Sequence, residues 1–76
     1  MISENDIKLE LEKLNAAAKD FDKVYEYRRG KDGNWALFEV HDDNVYRPVY
    51  LATTSAGFFA YVSLLKNLYN RGKIGE

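Results

Sequence analysis

Apolar and polar positions alternate along this 76-residue chain with a spacing that changes twice. From Ile7 onward, Leu11, Leu14, Ala18 and Phe21 recur at 4-3-4-3 spacing. Wound at about 100° per residue, they form a stripe roughly 80° wide. The spacing predicts a helix that starts after Ser3 and runs to about Asp20. Ser3-x-x-Asp6 at its start is a weaker form of the capping box, and Glu4 and Asp6 suit the positive end of the helix dipole. Leu9 projects to the far side, near Ala16.

The period then drops to two. Val24 to Arg29 is rich in Tyr and reads as a strand, and Gly30-Lys31-Asp32-Gly33 is a turn whose Asp-Gly tolerates positive φ. Asn34 to His41 alternates cleanly, with Ala36, Phe38 and Val40 on one face and Trp35, Leu37, Glu39 and His41 on the other. Asp42-Asp43-Asn44 is a second turn, and Val45 to Ala52 is a third strand. Pro48 cannot donate to a ladder, which sends that strand to a sheet edge. Connections this short require antiparallel pairing, so the expected sheet is a meander with the Trp35 strand in the centre.

The last apolar segment returns to helical spacing. Eight large apolar side chains crowd into Phe58 to Tyr69: Phe58, Phe59, Tyr61, Val62, Leu64, Leu65, Leu68 and Tyr69. All but Phe59 fall within an arc of roughly 160°, wider than the stripe of a little over ~100° that a surface helix needs. Phe59 projects between Lys66 and Asn70. Thr53, Thr54 or Ser55 caps this helix, and Gly72 ends it with Lys73 behind; the last few residues are expected to fray.

The order is α-β-β-β-α, which predicts an α+β fold: one compact domain over 1–76, a three-stranded antiparallel meander, and both helices on one sheet face. Ala36, Phe38 and Val40 are expected to face the helices, because that face carries no polar residue. A helix wedged between the sheet and the first helix uses most of the wide arc and leaves Phe59 and Leu9 over.

Composition narrows the function classes. A chain this short buries only about 60–65% of its unfolded surface, so its core is marginal. With no cysteine, a disulfide staple and a thiolate metal site are both excluded. The polar, acidic N-terminus has no signal-peptide pattern, and no apolar run nears the ~20 residues of a membrane span. The expectation is a soluble cytoplasmic protein without a cofactor. The net charge of −1 argues against a dedicated nucleic-acid binder. Residues 1–43 sum to −4 and residues 44–76 to +3, an asymmetry that could steer a partner but that ordinary solvated faces also produce.

Candidate chemistry is sparse. The single histidine, His41, stands beside Asp42 and Asp43, a minimal general base or partial metal site, yet turn composition accounts for every one of these residues. Thr53 to Gly57 opens a helix where a phosphate could sit, but it is not a P-loop and no lysine is near; capping accounts for it. No acid, base and oxyanion set can be assembled, so no enzyme is expected. The sharper candidate is a binding surface. With Phe38 inward, Trp35 and Leu37 point outward, joined by Tyr25, Tyr27, Tyr46 and Tyr50 from the neighbouring strands and flanked by Arg29 and Arg47. Tyr, Trp and Arg dominate binding hot spots. They are also good strand residues, and a one-residue bulge would reverse the Tyr faces. The leftover Phe59 and Leu9 form a second candidate contact.

The element order is similar to that of double-stranded-RNA-binding domains. That family opens its second helix with a lysine cluster, where this chain has Thr54-Ser55-Ala56-Gly57-Phe58-Phe59, so the phosphate clamp does not carry over. Order, size and the lack of a catalytic set also resemble certain phage-encoded inhibitors, anti-CRISPR proteins among them. The expected function is a non-enzymatic protein-binding module, an inhibitor or adaptor whose partner is another protein. The runner-up is a small nucleic-acid-associated module using the aromatic sheet face. A homodimer through the second helix is compatible with either, and no membrane partner is expected.

Overall fold

In a computed structural model, which describes residues 1–72 apart from the Asp43 side chain, the capping box at Ser3 forms in both directions. Asp6 N donates to Ser3 Oγ at 3.2 Å and Ser3 N donates to Asp6 Oδ2 at 2.9 Å. These bonds start α1, Glu4–Ala18. A single 3-10 turn, Lys19–Phe21, continues it, and Asp22 at φ 58° stops it. The strands are β1, Val24–Arg29, β2, Trp35–His41, and β3, Val45–Ala52. They pair antiparallel in the order β1-β2-β3, the expected meander with β2 in the centre. Gly33 sits at φ +85° in the first turn, where Gly30 N donates to Asn34 O at 2.8 Å. A side chain there would meet the Cβ penalty of left-handed backbone. The second helix, α2, spans Ser55–Asn70; Thr54 Oγ1 caps it by accepting from Gly57 N at 3.0 Å. Gly72, at φ +69°, ends it. Lys73 and the expected frayed end lie outside the described residues.

The helices pack against each other and on one side of the sheet, α1 touching β1 and α2 touching β2 and β3. The side they cover is the reverse of the expected one. Trp35, Leu37 and Tyr25 are 3%, 0% and 4% exposed and belong to the core, with Tyr27 half-buried against it. Ala36, Phe38 and Val40 therefore point away from the helices. Volume explains the inversion. A layer beneath two helices must be filled to crystal-like density, and the face that carries Ala36 near the start of β2 offers less volume for it than Trp35 and Leu37 do. The Trp35 ring stacks on Phe58 at 5.8 Å between centroids. Glu39 and His41, whose polarity pointed to solvent, are paired where they stand: Glu39 Oε1 accepts from Lys23 Nζ at 3.3 Å and lies 2.8 Å from His41 Nε2.

The remaining core follows the expected stripes. Ile7, Leu11, Leu14 and Ala18 of α1 meet Phe58, Val62, Leu65 and Tyr69 of α2. The Tyr25 and Tyr69 hydroxyls hydrogen-bond at 2.6 Å, and burial together with that contact pushes the Tyr25 phenol well above its ordinary pKa. Asn15 of α1 covers the free edge of β1 at Tyr25, accepting from Tyr25 N at 2.8 Å and donating to Tyr25 O at 3.0 Å. Pairing an edge in this way removes a template for strand addition.

Phe59 projects to the Lys66 flank of α2, as expected, and that flank faces α1. There Lys66 Nζ lies 2.6 Å from Glu10 Oε2, a buried carboxylate. Burial opposes ionisation of Glu10, but Lys66 and the Ser63 hydroxyl outweigh it and hold the carboxyl below its usual range. Phe59 is half-buried against the core. Within the wide arc, Leu64 is the residue left exposed. Among the described residues, no helix is long and apolar enough to cross a membrane.

Candidate protein-binding surface

Cross-strand partners in an antiparallel pair share a face, so the register defines what the sheet shows to solvent. Outward positions are Val24, Glu26 and Arg28 on β1, Ala36, Phe38 and Val40 on β2, and Tyr46, Pro48 and Leu51 on β3. Apart from Glu26 and Arg28 the face is apolar or aromatic. Val24 and Leu51, at opposite corners, are 51% and 63% exposed, and Ala36, Phe38, Val40 and Tyr46 between them are partly buried by their neighbours on the face. The solvent side of an antiparallel sheet is ordinarily polar, and contiguous exposed apolar surface marks an interaction site.

Aromatic contacts organise the middle of this face. Phe38 and Tyr46 meet edge to face at 6.3 Å. The Arg28 guanidinium lies over both rings, 5.3 Å from the Phe38 centroid and 4.8 Å from that of Tyr46. An arginine laid on aromatic faces is held by cation–π attraction and keeps the outer edge of its fork open to a carboxylate.

The sequence-predicted constellation is brought together, but on the other face. Trp35, Leu37 and Tyr25 lie in the core and Tyr27 packs at its margin. Tyr27 Oη donates to Glu4 Oε2 at 2.6 Å, and burial, then Glu4, pushes its pKa up to about 12. Arg29 lies over the Trp35 ring at 4.8 Å. Tyr50 stacks on Tyr61 of α2 at 4.0 Å. Tyr46 and Arg47 part from Tyr50 because the register shifts between Leu37 and Phe38, leaving Val49 as a bulge. The extra residue sends Tyr46 outward, opposite Val40, and Arg47 to the helix side, opposite Glu39. Of the predicted strand residues, only Tyr46 is therefore an outward one. Arg28, Phe38 and Leu51 were missed, although the β2 alternation groups Phe38 correctly with Ala36 and Val40.

Leu9 and Phe59 are brought together as expected, lining a shallow cleft between the helices with Ile2, Asp6, Glu10 and Lys13. A wider groove at the far end of the sheet carries both signs of charge, from Lys19, Lys23, Asp22 and Asp42. His41 borders that groove and pairs with Glu39 rather than forming a metal cluster; among the described residues no three His, Asp or Glu side chains could hold a metal ion. Thr54 spends its hydroxyl on the Gly57 cap, and a Cβ on Gly57 would come within 3.0 Å of that oxygen.

No protein-family model matches the chain, and no match is found among curated proteins or solved structures.

Proposed function

We propose that this chain is a non-enzymatic protein-binding module of the inhibitor or adaptor kind, acting in the cytoplasm, and that it binds with the outer face of its sheet. One observation carries this reading: a three-stranded face that is apolar except for Glu26 and Arg28 stands open, with an arginine laid across two aromatic rings at its middle. Aromatic and arginine side chains at the centre of a patch are what protein hot spots are made of. The cleft beside Leu9 and Phe59 is smaller and is lined by Asp6, Glu10 and Lys13 as well, so it ranks second.

Affinity capture from a host lysate with the wild type and Phe38→Asp tests the reading. The wild type should retain one stoichiometric protein that Phe38→Asp loses while keeping its fold. Salt-sensitive retention on DNA or RNA with no protein partner would overturn it.

A further inference from the structure

We infer that the outer sheet face is self-complementary and, while no other partner fills it, is closed by a second copy of this chain; this rests on the reading of that face as a protein-binding surface. Glu26 and Arg28 sit two positions apart on the same strand and the same face, and among the described residues neither has an oppositely charged group within 4.0 Å. The charges on this face thus cancel overall while both are left unpaired, which is what an isologous contact requires.

The register supplies the matching geometry. Consider a two-fold axis lying in the interface and crossing the strands at the row Tyr27, Leu37, Tyr50. It reverses strand direction and lays each strand over its own copy. Glu26 then stands over the root of the partner's Arg28, whose guanidinium leans toward Phe38 and Tyr46, and the same holds in reverse. On β2, Phe38 with the guanidinium laid on it comes over the partner's Ala36, whose small side chain leaves room for both. On β3, Pro48 meets the partner's Leu51. Packed sheets turn by about 30° relative to each other. About β2, that turn displaces β1, one strand away, by only roughly 3 Å, within the reach of an arginine. Large-over-small pairing at the centre and reciprocal charge pairing at one edge give the face a shape and a sign that fit itself.

Three strands about six residues long present a flat footprint of roughly 300 Å² per copy. That is small beside the ~800 Å² per partner of a standard interface. The dimer is therefore expected to be reversible and weak, with a dissociation constant of roughly 100 μM, and with the helices and the Leu9–Phe59 cleft facing outward on both copies.

Charge exchange across the axis tests this with the full-length chain in sedimentation velocity from about ten to several hundred micromolar. The wild type should dimerise over that range. Glu26→Arg alone and Arg28→Glu alone place like charges opposite each other and should each weaken self-association at least ~tenfold. An equimolar mixture of the two single variants should associate again, because every contact across the axis is then between opposite charges, and the double variant should self-associate like the wild type. In dilution NMR of the wild type, the amide shifts should cluster at residues 26, 28, 36, 38 and 51, a readout that needs no variant to fold. A wild type that stays monomeric overturns the dimer, and so does a dimer that both single variants form equally well. If a monomeric wild type still captures a partner protein that Phe38→Asp loses, the dimer fails and the partner-binding function stands. A dimer indifferent to Phe38→Asp uses another surface and overturns the self-complementary face.

Discussion

The orientation of β2 can be tested by truncating two adjacent residues. Leu37 is fully buried on the central strand, and Phe38, its neighbour, points to the opposite face and is only partly buried. Leu37→Ala removes a fully buried core side chain beneath the helices and leaves a cavity, at a cost of about 3–4 kcal/mol for a site with little room to collapse. Phe38→Ala removes more atoms, but from the face that no helix covers. What it gives up is the edge contact with Tyr46 and the Arg28 cation–π contact, together about 1 kcal/mol. At ~0.05–0.15 kcal/mol per residue the whole domain is stable by only about 4–11 kcal/mol. In a domain this small each kcal/mol moves the melting temperature by ~4–8 °C, so Leu37→Ala should lower it by about 12–30 °C and Phe38→Ala by about 4–8 °C. Urea and thermal unfolding followed by far-UV circular dichroism at a few micromolar, where self-association is negligible, give both numbers on the monomer. The urea slope should stay constant across the three proteins, so that the midpoints report stability alone. If Phe38→Ala costs as much as Leu37→Ala, or more, the helices lie on the Phe38 side and the open face is not the one that binds.

Two further perturbations examine how α1 holds the molecule together. Glu10→Gln should flatten the acid limb of stability: the folded pKa of Glu10 lies below its ordinary 4.5, so its contribution is complete above that value and disappears as pH falls through the lower folded one. Urea midpoints between pH 7 and pH 2 should converge for wild type and variant at the acid end, and parallel profiles would show that the Lys66 pair contributes nothing. Asn15→Ala strands the partly buried N–H and C=O of Tyr25, which should cost about 1–3 kcal/mol in urea denaturation and, by opening the β1 edge, raise light scattering on storage; an unchanged midpoint would mean that water replaces the amide without loss.

Element order, turn positions and caps are legible in the sequence because each rests on local chemistry. The 4-3-4-3 stripe of α1, the Asp-Gly turn and the hydroxyl before α2 need no tertiary partner to be read. The sheet faces are not legible in the same way, because β2 is apolar on both sides over residues 35–38 and polarity decides only when one side is wet. The polar residues that tip the choice, Glu39 and His41, are satisfied by Lys23 and by each other at the strand end, a contact no periodicity encodes. The small volume of Ala36, second in β2, against the bulk of Trp35 and Leu37 beside it is the signal the sequence does carry, since a residue that small fills little of a layer beneath two helices. The bulge at Val49 has no sequence mark beyond Pro48 next to it, and it alone separates Tyr46 from Tyr50. Helical projection places Phe59 correctly on the Lys66 flank; where that flank points depends on α1, and the Glu10–Lys66 pair fixes it only in three dimensions.

Leaving an apolar sheet face open would ordinarily invite indiscriminate association, and Arg28 counters this in the free protein. Its guanidinium covers the two rings that are the largest on the face, so the aromatic surface is capped by a charge that must stay hydrated along its outer edge. A purely apolar partner would bury that charge without compensation, at a cost exceeding the area gained. A partner that brings a carboxylate to the same place satisfies the outer edge and need not dislodge the guanidinium from the rings. On the binding face proposed above, the residue that hides the surface would therefore also set its specificity, through one geometry: a carboxylate seated beside an apolar neighbour, the arrangement that Glu26 and Phe38 themselves have across β1 and β2.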